Sequence, residues 1–124
     1  MPRLDNPKEE ILKTTLSKLQ TKSYNSISYK DISEEIGIKK ASLYHHYPTK
    51  EELGFTVLHN YRLRINDLIR RAEEKWDNPW DKLESYLKFF TRLREKDDKI
   101  CIGGVLTVEY NTLPEKIQNE LREL

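Results

Sequence analysis

Apolar residues recur at every third or fourth position through most of this chain, and no stretch alternates apolar and polar residues over the length of a β-strand. This spacing places side chains on one face of an α-helix. Valine is scarce, whereas isoleucine, leucine, lysine, glutamate and arginine are abundant, and this balance favours helix over strand. The sequence therefore predicts an all-α fold.

Residues that begin and end helices divide this pattern into segments. Asn6-Pro7 and Asn78-Pro79 each offer an N-cap followed by proline at the first helical position. Residues 28–31 and 49–52 have the form of capping boxes, and Gly37 can end a helix in the left-handed conformation. We therefore expect helices that begin near residues 7, 28, 39, 50 and 79.

The C-terminal half is less regular. After residue 79, an apolar face continues through Leu93 and precedes a polar link at residues 95–99. Residues 100–110 are apolar and contain two glycines, so they fit either a strand or a small buried helix; the helical surroundings favour helix. Leu113-Pro114 opens a last amphipathic helix that is still running at Leu124. Either this helix frays at its end, or further helix is supplied by a longer parent chain or a partner.

Residues 29–47 have the layout of a helix-turn-helix: a short helix, a tight turn at Gly37-Ile38 and a second short helix. On a helical wheel, Leu43 and Tyr47 of the second helix face the core. The opposite face carries small or hydrogen-bonding side chains, which suit insertion into a DNA groove. These outward and flanking residues are Lys40, Ala41, Ser42, Tyr44 and His45.

The charge is unevenly distributed. Residues 1–50 hold 9 Lys and Arg against 6 Asp and Glu, a net charge of +3, whereas residues 51–124 hold 13 against 15, a net charge of −2. Lys39 and Lys40 sit at the start of the second short helix, where the helix dipole disfavours cations. They are either ordinary surface lysines or phosphate contacts, and the absence of any acid between residues 37 and 50 favours phosphate.

The segment Ile32–Leu53 resembles the N-terminal signature of the tetracycline-repressor (TetR) family of bacterial transcriptional regulators. The resemblance rests on Leu-Tyr-His-His-Tyr-Pro at residues 43–48 and Lys-Glu-Glu-Leu at residues 50–53. A weaker match covers residues 101–109 and 113–115, which resemble the sixth-helix region of many members. The resemblance implies a three-helix DNA-binding domain at residues 1–49 (the N-terminal unit), joined by a long helix to a helical effector-binding domain at residues 50–124 (the C-terminal unit).

The resemblance also implies roles for individual residues. Residues at the start of the second helix, together with Tyr44 and Lys50, match phosphate-contacting positions. Residues of the third helix match positions that meet the major groove, and Gly37 matches the turn glycine. The full set of expected DNA-contacting positions is Ser28, Tyr29, Lys30, Gly37, Lys39, Lys40, Ala41, Ser42, Tyr44, His45 and Lys50.

Three departures from the family pattern stand out. Ser23 occupies a position where glycine is usual, and a left-handed serine there would be mildly strained. Lys39 occupies a position where a small N-capping residue is usual, which points to an atypical operator. The two further long helices that form the family's dimer interface are absent from this sequence, so we expect an incomplete C-terminal unit. Binding to a palindromic operator as a homodimer is expected where those helices are present.

Other site candidates are weaker. Six residues of the C-terminal unit could line a pocket for a small-molecule effector, although aromatic residues at helical spacing also serve as plain core packing; they are Tyr61, Ile65, Tyr86, Phe90, Cys101 and Tyr110. Cys101 is the one cysteine and fits a buried structural role better than a redox role. The spacing of the three histidines fits no metal site, and we expect no metal or cofactor.

The sequence thus predicts a cytoplasmic, sequence-specific DNA-binding regulator, namely a repressor released from its operator by an unknown small molecule. It contains no glycine-rich phosphate loop, no nucleophile elbow and no His-Glu-x-x-His motif, so an enzyme is not expected. No apolar run is long enough to span a membrane. The alternative function is a helical protein-interaction module that keeps the helix-turn-helix shape without binding an operator.

Overall fold

The computed structural model describes residues 6–124, and these form seven α-helices and one 3-10 helix with no β-strand among them. The all-α prediction is confirmed. Residues 1–5 of the predicted N-terminal unit lie outside the described residues. The helices are α1 (Pro7–Thr21), α2 (Tyr29–Ile36), α3 (Lys40–His46), α4 (Lys50–Lys75), α5 (Pro79–Asp97), α6 (Ile102–Val108), the 3-10 helix (Tyr110–Thr112) and α7 (Glu115–Glu123).

The helix boundaries are set by local capping, largely as the sequence predicts. At each of the predicted N-caps, a side-chain oxygen accepts a hydrogen bond from a backbone N–H two or three residues further on, which satisfies one donor of the first turn. These N-caps are Asn6, Ser28, Thr49 and Asn78. Gly37 ends α2 with φ of 81°, in the left-handed region that glycine adopts without steric cost. The segment after residue 100 forms a helix, not a strand.

One expectation about the backbone is wrong. The polar link expected at residues 95–99 is largely helical, because α5 continues through Asp97 and ends at Asp98 with φ of 50°. Aspartate tolerates this left-handed conformation better than most residues, so Asp98 closes the helix as glycine usually does. Asp98 is the only non-glycine residue with positive φ between residues 6 and 124. Ser23 therefore turns the chain after α1 without the left-handed conformation that a glycine there would take.

The long helix α4 organises the molecule. It packs against α1, α5 and α7, while α1 also contacts α2 and α6, and α2 contacts α3. One hydrophobic cluster runs through both predicted units, and its most deeply buried side chains are Ile11, Leu19, Ile32, Leu43, Leu53, Leu58, Ile102, Leu106 and Ile117. The division into residues 1–49 and 50–124 stays a prediction, since this shared cluster crosses it.

A charged cluster fixes α7 on α4. The Glu120 carboxylate is buried, and its Oε1 atom accepts a hydrogen bond from Arg62 Nε at 2.6 Å and lies 2.9 Å from His59 Nδ1. Burial alone would raise the pKa of Glu120, but hydrogen bonds from Arg62 and His59 outweigh it and hold this pKa below its usual value. Glu120 is therefore an ionised, paired group in the α4–α7 contact.

The apolar face of α5 is left largely exposed, and no residue of this helix is buried within the described chain. Trp80 is 76% exposed, and Leu83 and Leu87 are about half exposed. The contact between α5 and α4 instead involves Phe89, whose ring centroid lies 6.3 Å from that of Tyr61. The stripe predicted from the sequence is thus present on α5, but residues 6–124 do not bury it.

Candidate functional site

The outer surface of α3 is formed by the side chains that the helical wheel places there. Leu43 is completely buried and Tyr47 is 5% exposed, so these two residues anchor α3 on the core. The remaining residues are partly or fully exposed. We call this surface the α3 face, and its members are Lys39, Lys40, Ala41, Ser42, Tyr44 and His45.

The turn between α2 and α3 sets the angle at which the α3 face is presented. The backbone N–H groups of Gly37 and Ile38 both donate to the carbonyl of Ser33, at 2.9 and 3.1 Å. Ser33 is buried, and its hydroxyl donates a hydrogen bond to the carbonyl of Lys30 at 3.0 Å. The buried hydroxyl is therefore paired within α2. The geometry is that of a helix-turn-helix with α3 as its outer helix.

The start of α3 carries two lysines and no side-chain cap. Lys39 is the N-cap residue and makes no capping hydrogen bond through its side chain. Among the ion pairs of residues 6–124, none involves Lys39 or Lys40. Two cations beside the positive end of a helix dipole are unfavourable in isolation and become favourable when an anion lies nearby.

Tyr44 stands half exposed at the edge of the α3 face, and a buried tyrosine supports it. The Tyr29 ring centroid lies 4.6 Å from that of Tyr44. The Tyr29 hydroxyl donates to the carbonyl of Tyr47 at 2.7 Å, and burial raises the pKa of this hydroxyl, so it remains protonated. Tyr29 is 6% exposed and thus lies beneath the face, whereas the family resemblance implies that it contacts phosphate.

The other two residues expected at the start of α2 are exposed. The Ser28 hydroxyl accepts a hydrogen bond from the Asp31 backbone N–H and donates to the Asp31 carboxylate at 2.9 Å. This bond lowers the pKa of the Asp31 carboxyl. Lys30 reaches within 4.0 Å of Glu34, a loose pair in which both side chains are mostly exposed. Ser28 is therefore occupied as a cap, whereas Lys30 is available for an external anion.

Lys50 begins α4 and is half-buried, and its ammonium nitrogen lies 4.5 Å from the centroid of the Tyr24 ring. Burial lowers the pKa of Lys50, and the negative charge of Glu109 opposes that shift. Lys50 thus lies between the N-terminal unit and the C-terminal segment that contains Glu109.

Four of the six effector-pocket candidates lie in or against the hydrophobic cluster (Tyr61, Ile65, Tyr86 and Cys101), whereas Phe90 and Tyr110 are not part of it. Tyr61 and Ile65 are buried in the core, and the Tyr61 hydroxyl donates to the Cys101 sulfur at 3.4 Å. Tyr86 and Phe90 pack edge to face on α5, with ring centroids 4.9 Å apart. Tyr110 lies on the 3-10 helix, with the Arg122 guanidinium 5.4 Å from its ring centroid.

Two of the grooves that flank α4 are lined by effector-pocket candidates. The groove against α1 has a volume of about 380 Å³ and is lined in part by Leu12, Leu16 and Tyr61. One groove between α4 and α5 has a volume of about 260 Å³ and is lined in part by Ile69 and Tyr86. The two candidates that line these grooves thus belong to different ones. Over residues 6–124, no three His, Cys, Asp or Glu side chains are grouped to hold a metal ion, and no helix is long and apolar enough to cross a membrane.

Comparison with known proteins supports the resemblance to the TetR family. Residues 11–55 match the family model of bacterial regulatory proteins of the tetR family. The chain is also 30% identical over 117 residues, 93% of its length, to IcaR, the HTH-type negative transcriptional regulator of the biofilm operon icaADBC in Staphylococcus epidermidis. Residues 11–55 carry the N-terminal signature of the TetR family, as the sequence predicts.

Solved structures of TetR-family regulators share the fold. A TetR transcriptional regulator from Legionella pneumophila superposes with a TM-score of 0.86 at 29% identity and covers 98% of this chain. A TetR-family regulator from Agrobacterium tumefaciens superposes with a TM-score of 0.87 at 29% identity and covers 93% of this chain. This chain spans 59% of the length of IcaR, and 66% and 61% of the two solved chains.

Proposed function

We propose that this chain is a transcriptional regulator that binds duplex DNA through the α3 face. The observation that carries the proposal is the pair of lysines at the start of α3, which have no ionic partner among the described residues. They lie on the outer helix of a helix-turn-helix, in a segment (residues 37–50) that contains no acidic residue. A phosphate backbone supplies the anion that this arrangement lacks.

The side chains divide into base-reading and phosphate-contacting groups by size and position. Ala41 is small and allows close approach to a base edge, while Ser42 and His45 can exchange hydrogen bonds with bases in the major groove. The flanking groups (Lys30, Lys39, Lys40, Tyr44 and Lys50) are suited to phosphate, which fixes register without reading sequence. Ser28 and Gly37 contribute by beginning and ending α2, and Tyr29 by supporting Tyr44.

The regulator is proposed to repress transcription in the cytoplasm and to act there as a homodimer on a palindromic operator. The two N-terminal units of such a dimer must meet half-sites about one DNA turn, roughly 34 Å, apart. A small displacement of one unit therefore prevents simultaneous binding. A small molecule bound among α4–α7 would release the operator by favouring such a displaced arrangement. Support for repression comes from IcaR, which is named as a negative regulator.

The test begins with duplexes enriched from a random-sequence pool by the wild-type chain. Tyr44→Phe and Lys40→Ala are expected to weaken binding to every duplex to a similar degree, because phosphate contacts carry no sequence information. His45→Ala and Ser42→Ala are expected to change the preferred sequence, at about 1–3 kcal/mol for each base-specific hydrogen-bonding pair that the substitution removes. Fluorescence anisotropy on enriched and scrambled duplexes measures both effects.

Lys96→Ala is the matched control, since Lys96 is an exposed lysine near the end of α5. It is expected to bind DNA as the wild type does, apart from a small effect of its missing charge. Unchanged sequence preference in both His45→Ala and Ser42→Ala would contradict the assignment of the α3 face. Failure to enrich any duplex at low salt would instead favour a protein-interaction module that keeps the helix-turn-helix shape.

A further inference from the structure

A carboxylate of the C-terminal unit holds the turn that leads into the helix-turn-helix. Glu109 follows α6, and its two oxygens accept hydrogen bonds from the backbone N–H groups of Tyr24 at 2.8 Å and Asn25 at 3.0 Å. The Asn25 side-chain amide also donates to the Thr112 hydroxyl at 2.8 Å. We call these three hydrogen bonds the Glu109 clasp.

The clasp joins parts of the chain that are more than 80 residues apart in sequence. Hydrogen bonds from backbone N–H groups to a carboxylate are charge-assisted and about twice as strong as neutral ones. Tyr24 and Asn25 lie in the α1–α2 turn, a few residues before the Ser28 cap of α2. The clasp therefore constrains where the helix-turn-helix sits relative to the segment that follows α6.

The same turn also positions Lys50. The Lys50 ammonium nitrogen lies over one face of the Tyr24 ring, 4.5 Å from the ring centroid. Elsewhere the ring lies against the backbone of Gly54, so closely that a β-carbon there would come within 2.8 Å of Tyr24 Cε2. Because Glu109 fixes the backbone of Tyr24 and its charge favours the cationic form of Lys50, it acts on Lys50 through both geometry and charge.

We infer that Glu109 is a positioning residue for DNA binding, since the clasp holds Lys50 and the α3 face in an arrangement that can contact one duplex together. This inference rests on the proposed DNA binding. Without the clasp, the arrangement that can bind DNA is only one of several. The apparent affinity is then the intrinsic affinity multiplied by the fraction of molecules in that arrangement. The direction of the change in DNA affinity distinguishes a positioning role from an effect of charge. A carboxylate repels DNA, so its removal would strengthen binding if charge alone mattered.

The experiment compares Glu109→Gln with Glu95→Gln, which removes an exposed carboxylate from α5 and reports the effect of charge alone. Both chains are first checked for helical content and for folding at the assay temperature. Glu109→Gln retains a single acceptor oxygen and is expected to bind an enriched duplex about tenfold more weakly than wild type, a loss of about 1.4 kcal/mol. Glu95→Gln is expected to bind as tightly as wild type or slightly more tightly.

A double-mutant cycle separates positioning from general loss of structure. Lys50→Ala is expected to weaken binding less in the Glu109→Gln background than in wild type, because Lys50 is no longer held in place. Additive losses would assign Glu109 a merely structural role and overturn the inference. Binding by Glu109→Gln as tight as that of Glu95→Gln would also overturn it.

Thr112→Val keeps the test open should Glu109→Gln fail to fold. Thr112 is exposed, and its replacement changes no charge. It removes the clasp hydrogen bond from Asn25 and the bond that the Thr112 hydroxyl donates to the Glu109 carbonyl at 2.9 Å. A loss of about threefold in affinity is expected, in line with the modest strength of exposed neutral hydrogen bonds. Wild-type affinity in a folded Thr112→Val chain would contradict the inference. Absence of DNA binding by the wild type would instead count against the proposed function.

Discussion

Gly54 lies in α4 at the point where Tyr24 and Ile117 both reach the helix backbone, and we expect Gly54→Ala to destabilise the chain. A β-carbon at this position would come within 2.8 Å of Tyr24 Cε2 and 2.9 Å of Ile117 Cδ1. Carbon atoms pack favourably at about 3.5–4.0 Å, so both neighbours would have to move by more than about half an ångström. Neither moves easily, because Tyr24 is 6% and Ile117 1% exposed.

The two contributions to this substitution oppose each other. Replacing a mid-helix glycine by alanine favours the helix by up to about 1 kcal/mol. Overpacking a well-packed core costs about 1–3 kcal/mol. The expected net effect is a loss of about 1 kcal/mol in the free energy of unfolding, measured by urea denaturation of the whole chain.

Gly104→Ala is the matched control, because Gly104 is an exposed helical glycine whose added β-carbon would meet its nearest neighbour, Ile100 Cγ2, at 3.6 Å. That distance is an ordinary contact, so the helical preference of alanine should raise stability by about 0.4–1 kcal/mol. The two substitutions should thus have opposite signs. Equal stabilisation by both would refute the close contact of Tyr24 and Ile117 with α4.

The remaining predictions concern buried polar groups. The Tyr47 hydroxyl is buried without a hydrogen-bond partner among the described residues, so Tyr47→Phe should raise the urea midpoint by an amount equivalent to about 1 kcal/mol. Glu120→Gln leaves Arg62 without its anionic partner and should lower stability at pH 7 by about 1–3 kcal/mol. Because the pKa of Glu120 is lowered in the fold, its contribution is present above the unfolded carboxyl pKa of about 4.3 and is lost as pH falls below that value. The free energy of unfolding, measured between pH 7 and 3, should therefore fall more steeply for wild type than for Glu120→Gln.

Features governed by neighbouring residues could be predicted from the sequence. The Ser28 and Thr49 caps, the left-handed Gly37 and the uncapped start of α3 at Lys39 each depend on a few consecutive residues. The outward orientation of α3 follows from helical periodicity once Leu43 is placed in the core. These local rules are enough to locate the α3 face.

Features that depend on distant contacts could not be predicted in the same way. Tyr29 lies beneath the face because its hydroxyl bonds the carbonyl of Tyr47, 18 residues away. Glu109 belongs to a segment that resembles the family, yet its contact with Tyr24 spans 85 residues and leaves no local signal.

The end of α5 is a local feature that the sequence rules still miss, because Asp98 takes a conformation that those rules assign first to glycine.

The dependence of DNA affinity on salt tests the central claim most directly. If the α3 face binds phosphates, the logarithm of the association constant for an enriched duplex falls linearly with the logarithm of salt concentration. The slope of this line is about −0.9 for each phosphate neutralised. Lys39→Gln should then reduce the magnitude of that slope by about one, while Lys96→Gln leaves it unchanged. A salt-independent affinity, or the same slope in Lys39→Gln and wild type, would contradict the assignment of the α3 face to DNA.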